Sequence, residues 1–125
     1  MPLLTLSLSE TLNKNTLDKI SNSLTCVTQR VLRKEPGVTR VDINTASTYL
    51  AGKPTNGFTF SLTISITQGT NSEEECQLWL QEANAVMREF GSSADESVSY
   101  LSIITLPSIQ WGYNGLSQES RKLGK

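Results

Sequence analysis

Histidine is absent from the chain. That removes His-based metal sites and every Ser/His or Cys/His nucleophile pair, so any base the protein uses must be a different group. Cysteine is scarce: Cys26 and Cys76 are too few and too widely spaced for a zinc motif or a disulfide framework. Both fall in helical patterns, Cys76 one turn before Leu80, and read as reduced packing residues rather than catalytic thiols. No charge of one sign dominates, with 11 basic and 12 acidic side chains and a net charge of -1. Such a balance gives no electrostatic reason to expect nucleic acid or an anionic membrane as partner. No window approaches the roughly 18 apolar residues of a spanning helix, and no basic segment leads into an apolar run at the start. A soluble, cytoplasmic protein is the expectation. At 125 residues the chain is long enough for one modest core, so residues 1–125 are read as a single domain.

What is present begins at once. Residues 2–8 alternate Leu with Thr or Ser, the period-two signature of a half-buried strand, and Pro2 stands directly after the initiator Met1. Met before a small second residue is commonly removed, which would leave Pro2 as the N-terminus with a secondary amine. Alpha-amino groups titrate at about 7.7–8.0 in model peptides, and taking an amine out of water disfavours its charged form. A buried Pro2 would then be a neutral base near neutral pH, as general-base catalysis requires. The ordinary alternative is a proline that only begins an edge strand, where its missing N–H costs nothing.

From Asn15 the period changes. Leu17, Ile20, Leu24, Val27 and Val31 recur at helical spacing, with Asn15 as the expected N-cap, Arg30, Arg33 and Lys34 near the negative end, and Glu35-Pro36-Gly37 as the stop. A second strand is expected at Thr39–Asn44, a loop at Ala51–Gly57, and a third strand at Phe58–Thr67. Ser72 and Glu75 form a capping-box pattern ahead of a stripe of Leu80, Ala83, Val86, Met87 and Phe90, with Gly91 closing the helix and Trp79 as a packing residue. A fourth strand spans Ser97–Leu106, and Asn114-Gly115 marks a hairpin turn in the tail. Residues 2–44 and 60–105 thus repeat one order of parts, strand, helix, strand, giving repeats of about 2–57 and 58–125. Right-handed crossovers would join them into an α+β fold: a four-stranded sheet with both helices on one face. The other face of the sheet has no helix left to cover it, so copies of the chain are expected to pack together there.

Pro after Met, two β-α-β repeats and the tail Trp111-Gly112-Tyr113-Asn114-Gly115-Leu116-Ser117-Gln118-Glu119 together resemble the tautomerase superfamily. The likeness is to a fused, two-repeat relative of 4-oxalocrotonate tautomerase with the size of macrophage migration inhibitory factor, and it covers nearly the whole chain. It implies a homotrimer with no cofactor and no metal. It also implies an isomerase in which Pro2 shuttles a proton between oxygen and carbon of an enol acid, such as a 2-hydroxy-2-enoate or an arylpyruvate-like acid. By the same resemblance Arg40 and Lys34 would hold the substrate carboxylate or the developing enolate oxygen. Tyr100 and Trp111 would shape the pocket, and the Ile64 backbone would line it. Phe60 opens the second repeat where Pro2 opens the first, so three sites per trimer are implied rather than six.

Departures from the family pattern limit the reading. Leu12 and Thr70 occupy the places of an arginine that grips a second carboxylate, which makes a dicarboxylate a doubtful substrate. Family relatives that hydrate haloacrylates need a water-activating acid near the C-terminus, where this chain has Tyr113, with Glu119 as the nearby carboxylate. A haloacrylate dehalogenase or hydratase, or a non-catalytic trimeric binding or structural module, are the alternative functions. Taken one at a time, Lys34 and Arg40 read equally as solvated charges at element ends, and Tyr100 and Trp111 as core or interface residues.

Overall fold

The computed structural model describes residues 1–91 and 98–122. Strand β1 (Leu3–Leu8) is followed by helix α1 (Lys14–Leu32), a 3-10 turn at Pro36–Val38, and β2 (Arg40–Thr45). A small hairpin of β3 (Tyr49–Leu50) and β4 (Lys53–Pro54) precedes β5 (Phe60–Thr67), helix α2 (Glu73–Phe90) and β6 (Tyr100–Leu106). The tail forms a second hairpin, β7 (Gly112–Tyr113) and β8 (Leu116–Ser117), and a short helix α3 (Gln118–Lys122). The four long strands make one sheet in the order β2-β1-β5-β6. β1 runs parallel to β2, β5 runs parallel to β6, and the two units meet where β1 and β5 pair antiparallel. This is the expected fold of two β-α-β units, with α1 and α2 packed on one face of a four-stranded sheet.

Alternation decides which face the helices cover. Leu4, Leu6 and Leu8 of β1 and Phe60, Leu62, Ile64 and Ile66 of β5 are buried against Ile20, Leu24, Val27 and Val31 of α1 and Trp79, Ala83 and Met87 of α2. Burial of side chains this size stabilises by roughly 1.5–3 kcal/mol each relative to exposure. The opposite face carries Leu3, Thr5 and Ser7, then Ser61, Thr63 and Ser65, with Arg40, Asp42 and Asn44 on one flank and Tyr100, Ser102 and Ile104 on the other. Hydroxyls there bond along the sheet, Ser7 donating to Asn44 at 2.8 Å and Thr63 meeting Ser102 at 3.1 Å. No helix among the described residues is long and apolar enough to cross a membrane.

Several boundaries differ from the sequence reading, each for a physical reason. The cap of α1 is Asn13, not Asn15: its side chain accepts from the Thr16 amide at 2.8 Å, and the added turn faces solvent, outside the apolar stripe. The helix stops before Pro36, at Arg33, which takes the left-handed conformation (φ 58°). Contacts with the start of α2 hold that end. The Asn71 amide donates to the Leu32 carbonyl at 2.9 Å, and the Arg33 guanidinium forks onto Glu75 at 2.8 and 3.0 Å. The capping box of α2 forms as expected, between Ser72 and Glu75. Gly91, however, is extended (φ -154°) rather than a left-handed cap. A Cβ there would overlap the buried Phe58 ring, so close packing rather than turn geometry calls for glycine. Cys26 is exposed and Cys76 intermediate, so Cys26 is not the packing residue expected. Ala51–Gly57 contains part of the β3–β4 hairpin, turned through Ala51 and Gly52 with φ of 54° and 77°. β2 and β5 begin at Arg40 and Phe60, and β6 begins at Tyr100, while Ser97 lies outside the described residues. The tail hairpin forms at Asn114-Gly115, φ 53° and 83°, as a turn of that composition should.

Buried Thr28 accepts from the Trp79 indole at 3.1 Å and donates to the Leu24 carbonyl at 2.8 Å. Thr28→Val keeps the shape but leaves the indole N–H without a partner, so the urea midpoint should fall by an amount equivalent to about 1–3 kcal/mol. An unchanged midpoint would show that the bond is dispensable. The Glu75 carboxyl is held from 4.5 down to about 2, first by the Arg33 side chain and then by the Ser72 amide, with a smaller share from Asn71. A depressed carboxylate contributes stability above its unfolded pKa and loses it as pH falls through the folded one. Glu75→Gln should therefore flatten the stability profile between about pH 4.5 and about 2, and equal acid slopes for the two proteins would refute the coupling.

Candidate functional site

Because β1 lies inside the sheet, the start of the chain is enclosed rather than free. Pro2 is buried, its carbonyl accepts from the Arg40 amide at 3.2 Å, and Leu3 is in register with Arg40. Around it opens a pocket of about 680 Å3. Its walls are Met1, Pro2 and Leu3, the turn leading into β2 with Arg40 and Asp42 on that strand, and the tail from Trp111 to Asn114. Tail side chains are tied down. The Trp111 indole donates to the Thr67 hydroxyl at 3.1 Å, the Gln118 amide reaches the Met1 sulfur at 3.4 Å, and the Arg121 guanidinium lies 3.7 Å over the Tyr113 ring. Gly112 allows the hairpin to close, since a Cβ there would overlap the Leu116 carbonyl and the Ser117 backbone.

Electrostatics at this end favour a neutral amine. The terminal amine, carried by Met1, is held below its ordinary pKa of 8.0, first by burial and second by the Lys34 charge. Lys34 itself is pushed down, chiefly by burial and then by neighbouring Arg33, and its Nζ donates to the Thr70 hydroxyl at 2.9 Å. The joint between the end of α1 and the start of α2 thus places Lys34 where its charge reaches the chain start. Arg40 and Asp42, two apart on β2 and on one face of it, form an ion pair at 2.8 Å. Among the described residues no three His, Cys, Asp or Glu side chains cluster as a metal site would.

The pocket brings together four of the residues singled out in the sequence, Pro2, Arg40, Trp111 and Tyr113, and Lys34 acts on the same end of the chain. Two others stand elsewhere in the protomer. Tyr100 is 70 % exposed and in register with Ser61 and, through it, Ser7, at the far end of β1 from Pro2. Ile64 is wholly buried in the core between Leu4 and Ile103, with its backbone in the sheet, and does not line the pocket. Thr70 serves Lys34, and Leu12 packs against the core. Glu119, the carboxylate expected near the site, accepts from Ser108 at 2.7 Å and is absent from the pocket walls. The carboxylate that does line the pocket is Asp42, which sequence reasoning passed over. Its signal was the Arg-x-Asp alternation in a strand that pairs with the residues next to Pro2.

No family model and no curated protein sequence matches the chain. Solved structures do. A fused 4-OT, described as an asymmetric trimer, is 17 % identical with a TM-score of 0.80, and covers 98 % of this chain and 99 % of its own. Pt0534 inactivated by 2-oxo-3-pentynoate is 16 % identical with a TM-score of 0.80, over 98 % and 99 % of the two chains. A macrophage migration inhibitory factor-like protein from Entamoeba histolytica is 14 % identical with a TM-score of 0.72, over 93 % and 97 %. The resemblance to the tautomerase superfamily is thereby borne out as a shared fold over essentially the whole length.

If Lys34 helps hold the terminal amine neutral, Lys34→Met should raise that amine's pKa toward its ordinary value. An NMR titration of the first residue's α-proton would report it. An unmoved or lowered midpoint would place the Lys34 charge out of reach.

Proposed function

We propose that this chain is a cofactor-independent tautomerase of the tautomerase superfamily, with Pro2, freed by removal of Met1, as its base and acid. The observation that carries the reading is a buried proline at a pocket with Arg40 beside it, next to a Met1 amine that burial and the Lys34 charge hold below its ordinary pKa. In the reaction the neutral prolyl nitrogen takes the hydroxyl proton of an enol acid while the C–O bond becomes C=O. The electron pair of the C=C bond then takes the proton back at carbon, giving the keto acid and regenerating the amine. Arg40 offers its guanidinium to the substrate carboxylate, Lys34 adds positive potential toward the developing enolate oxygen, and Trp111 walls the ring or chain of the substrate. A 2-hydroxy-2-enoate or an arylpyruvate-like acid suits this set.

The assembly proposed is a homotrimer. The uncovered face of the sheet exposes Tyr100 and Ile104, and solved neighbours of the same fold are described as trimers. Tyr100 could reach a Pro2 pocket only from another copy, and Ile64 only through its sheet backbone. Free Cys26 and Cys76 suit a reducing compartment, hence a cytoplasmic location. A second reading has one observation in its favour. With Met1 in place its sulfur is engaged by Gln118 and the Pro2 nitrogen is an amide, which leaves a trimeric binding module without a prolyl base. A hydratase is less well served, because Glu119 is committed to Ser108.

Intact mass of the protein from its native host should show loss of Met1. Ketonisation of phenylenolpyruvate, followed spectroscopically, should then fall in Pro2→Ala, which puts a primary amine in place of the ring nitrogen and so changes both the basicity and the placement of the base. Equal rates for the two proteins, or a retained Met1, would leave the binding module.

A further inference from the structure

We infer that Asp42 sets the charge of the ligand this pocket accepts, admitting one carboxylate and turning away a second. The inference rests on the proposed role of Arg40 in the Pro2 pocket and deepens it. β2 pairs residue by residue with β1, Leu3 against Arg40 and Thr5 against Asp42, so both charged side chains stand on the same sheet face beside the chain start. Both line the pocket. Asp42 takes the Arg40 Nε at 2.8 Å and makes no other hydrogen bond to that guanidinium, so the Nη edge remains for a ligand. Their side chains are 75 % and 46 % exposed, within reach of a solute.

Counting charge on the walls gives the selectivity. Arg40 and Asp42 cancel, and the other group of the lining that can carry a positive charge is the terminal amine, held toward its neutral form. Lys34 stands outside the walls, so its charge reaches the amine end of the pocket without offering a second carboxylate a direct partner. One ligand carboxylate on the free edge of Arg40 meets a cation. A second carboxylate in the same 680 Å3 space meets the Asp42 carboxylate, well within a Debye length of about 8 Å. This differs from the missing arginine at Leu12 and Thr70, since an anion present repels where a cation absent merely fails to attract. A like charge at such range in a partly enclosed site changes relative affinity by about tenfold or more.

Crotonate and fumarate test this cleanly, because they share a four-carbon trans skeleton and differ by one carboxylate. Calorimetric titration of the full chain should show crotonate bound more tightly than fumarate. Asp42→Asn should raise the fumarate-to-crotonate affinity ratio about tenfold or more, and Asp42→Ser should do the same if the amide variant folds poorly. Asp18→Asn removes one negative charge on α1, where Asp18 pairs with Lys14, and should leave the ratio unchanged. A wild type that prefers fumarate, binds the two equally or binds neither, or a ratio unmoved by the Asp42 variants, overturns the inference. An equal response to Asp18→Asn does so too, by tracing the effect to net charge. These outcomes are separable from the catalytic reading. Pro2-dependent ketonisation with an unmoved ratio would sink the role of Asp42 alone, whereas a shifted ratio without ketonisation would leave a charge-selective pocket that does no chemistry.

Discussion

Everything about the site depends on β1 being an interior strand that begins at residue 3. A first strand at a sheet edge would leave the terminal amine in water, with the ordinary affinity of an amine for protons. Here β1 is clamped between a parallel neighbour, β2, and an antiparallel one, β5, so the residue before it is buried by construction. The pairing that buries Pro2 also supplies its surroundings. A parallel β2 starts where β1 starts, which sets Arg40 against Leu3, and the crossover helix that β2 requires ends in the same neighbourhood with Lys34. Pro2, Arg40 and Lys34 are gathered by topology rather than by a dedicated loop.

A second set of contacts fixes the helical layer that the sheet leans on. Asn71 satisfies a terminal carbonyl of α1, Glu75 closes the capping box of α2, and the same Glu75 carboxylate receives Arg33. Two helix ends, each with backbone groups that lack partners within the helix, thus complete one another. Thr70, at the same junction, receives Lys34. Losing the joint would loosen the helix termini and also the cation whose charge depresses the terminal amine. Stability and electrostatics at the chain start are therefore coupled through one cluster of polar side chains.

Much of the fold was legible because it is written in periods. Alternation in residues 2–8 and from Phe58 onward, and helical spacing from Leu17 and around Leu80, fixed the element types and the duplication. Where the reading went astray, the deciding contact is either one of two equal local choices or distant in sequence. Asn13 and Asn15 are both competent caps, and only the solvent-facing extra turn separates them. Gly91 looks like a helix terminator until Phe58 is seen lying against it. Asp42 went unremarked because its significance comes from the strand it pairs with. Of the candidate site, Pro2, Arg40 and Trp111 converge in one pocket, whereas Tyr100 and Ile64, placed by resemblance alone, stand away from it in the protomer.

Identities of only 13–17 % across solved structures that superpose over nearly their whole length show how little of the sequence this fold requires. The sheet asks for apolar residues at alternate positions, the helices ask for a stripe, and a wide range of residues meets both demands. The pocket is under different constraints, since its charged side chains come from a handful of positions outside the core. Charge placement there can vary freely without disturbing the core, because Arg40 and Asp42 are on the face of β2 that the helices do not cover. A fold of this type can therefore keep its buried terminal amine while exchanging the charged side chains around it. It is that pair on β2, rather than the shared architecture, that gives this chain's pocket its own arrangement of charge.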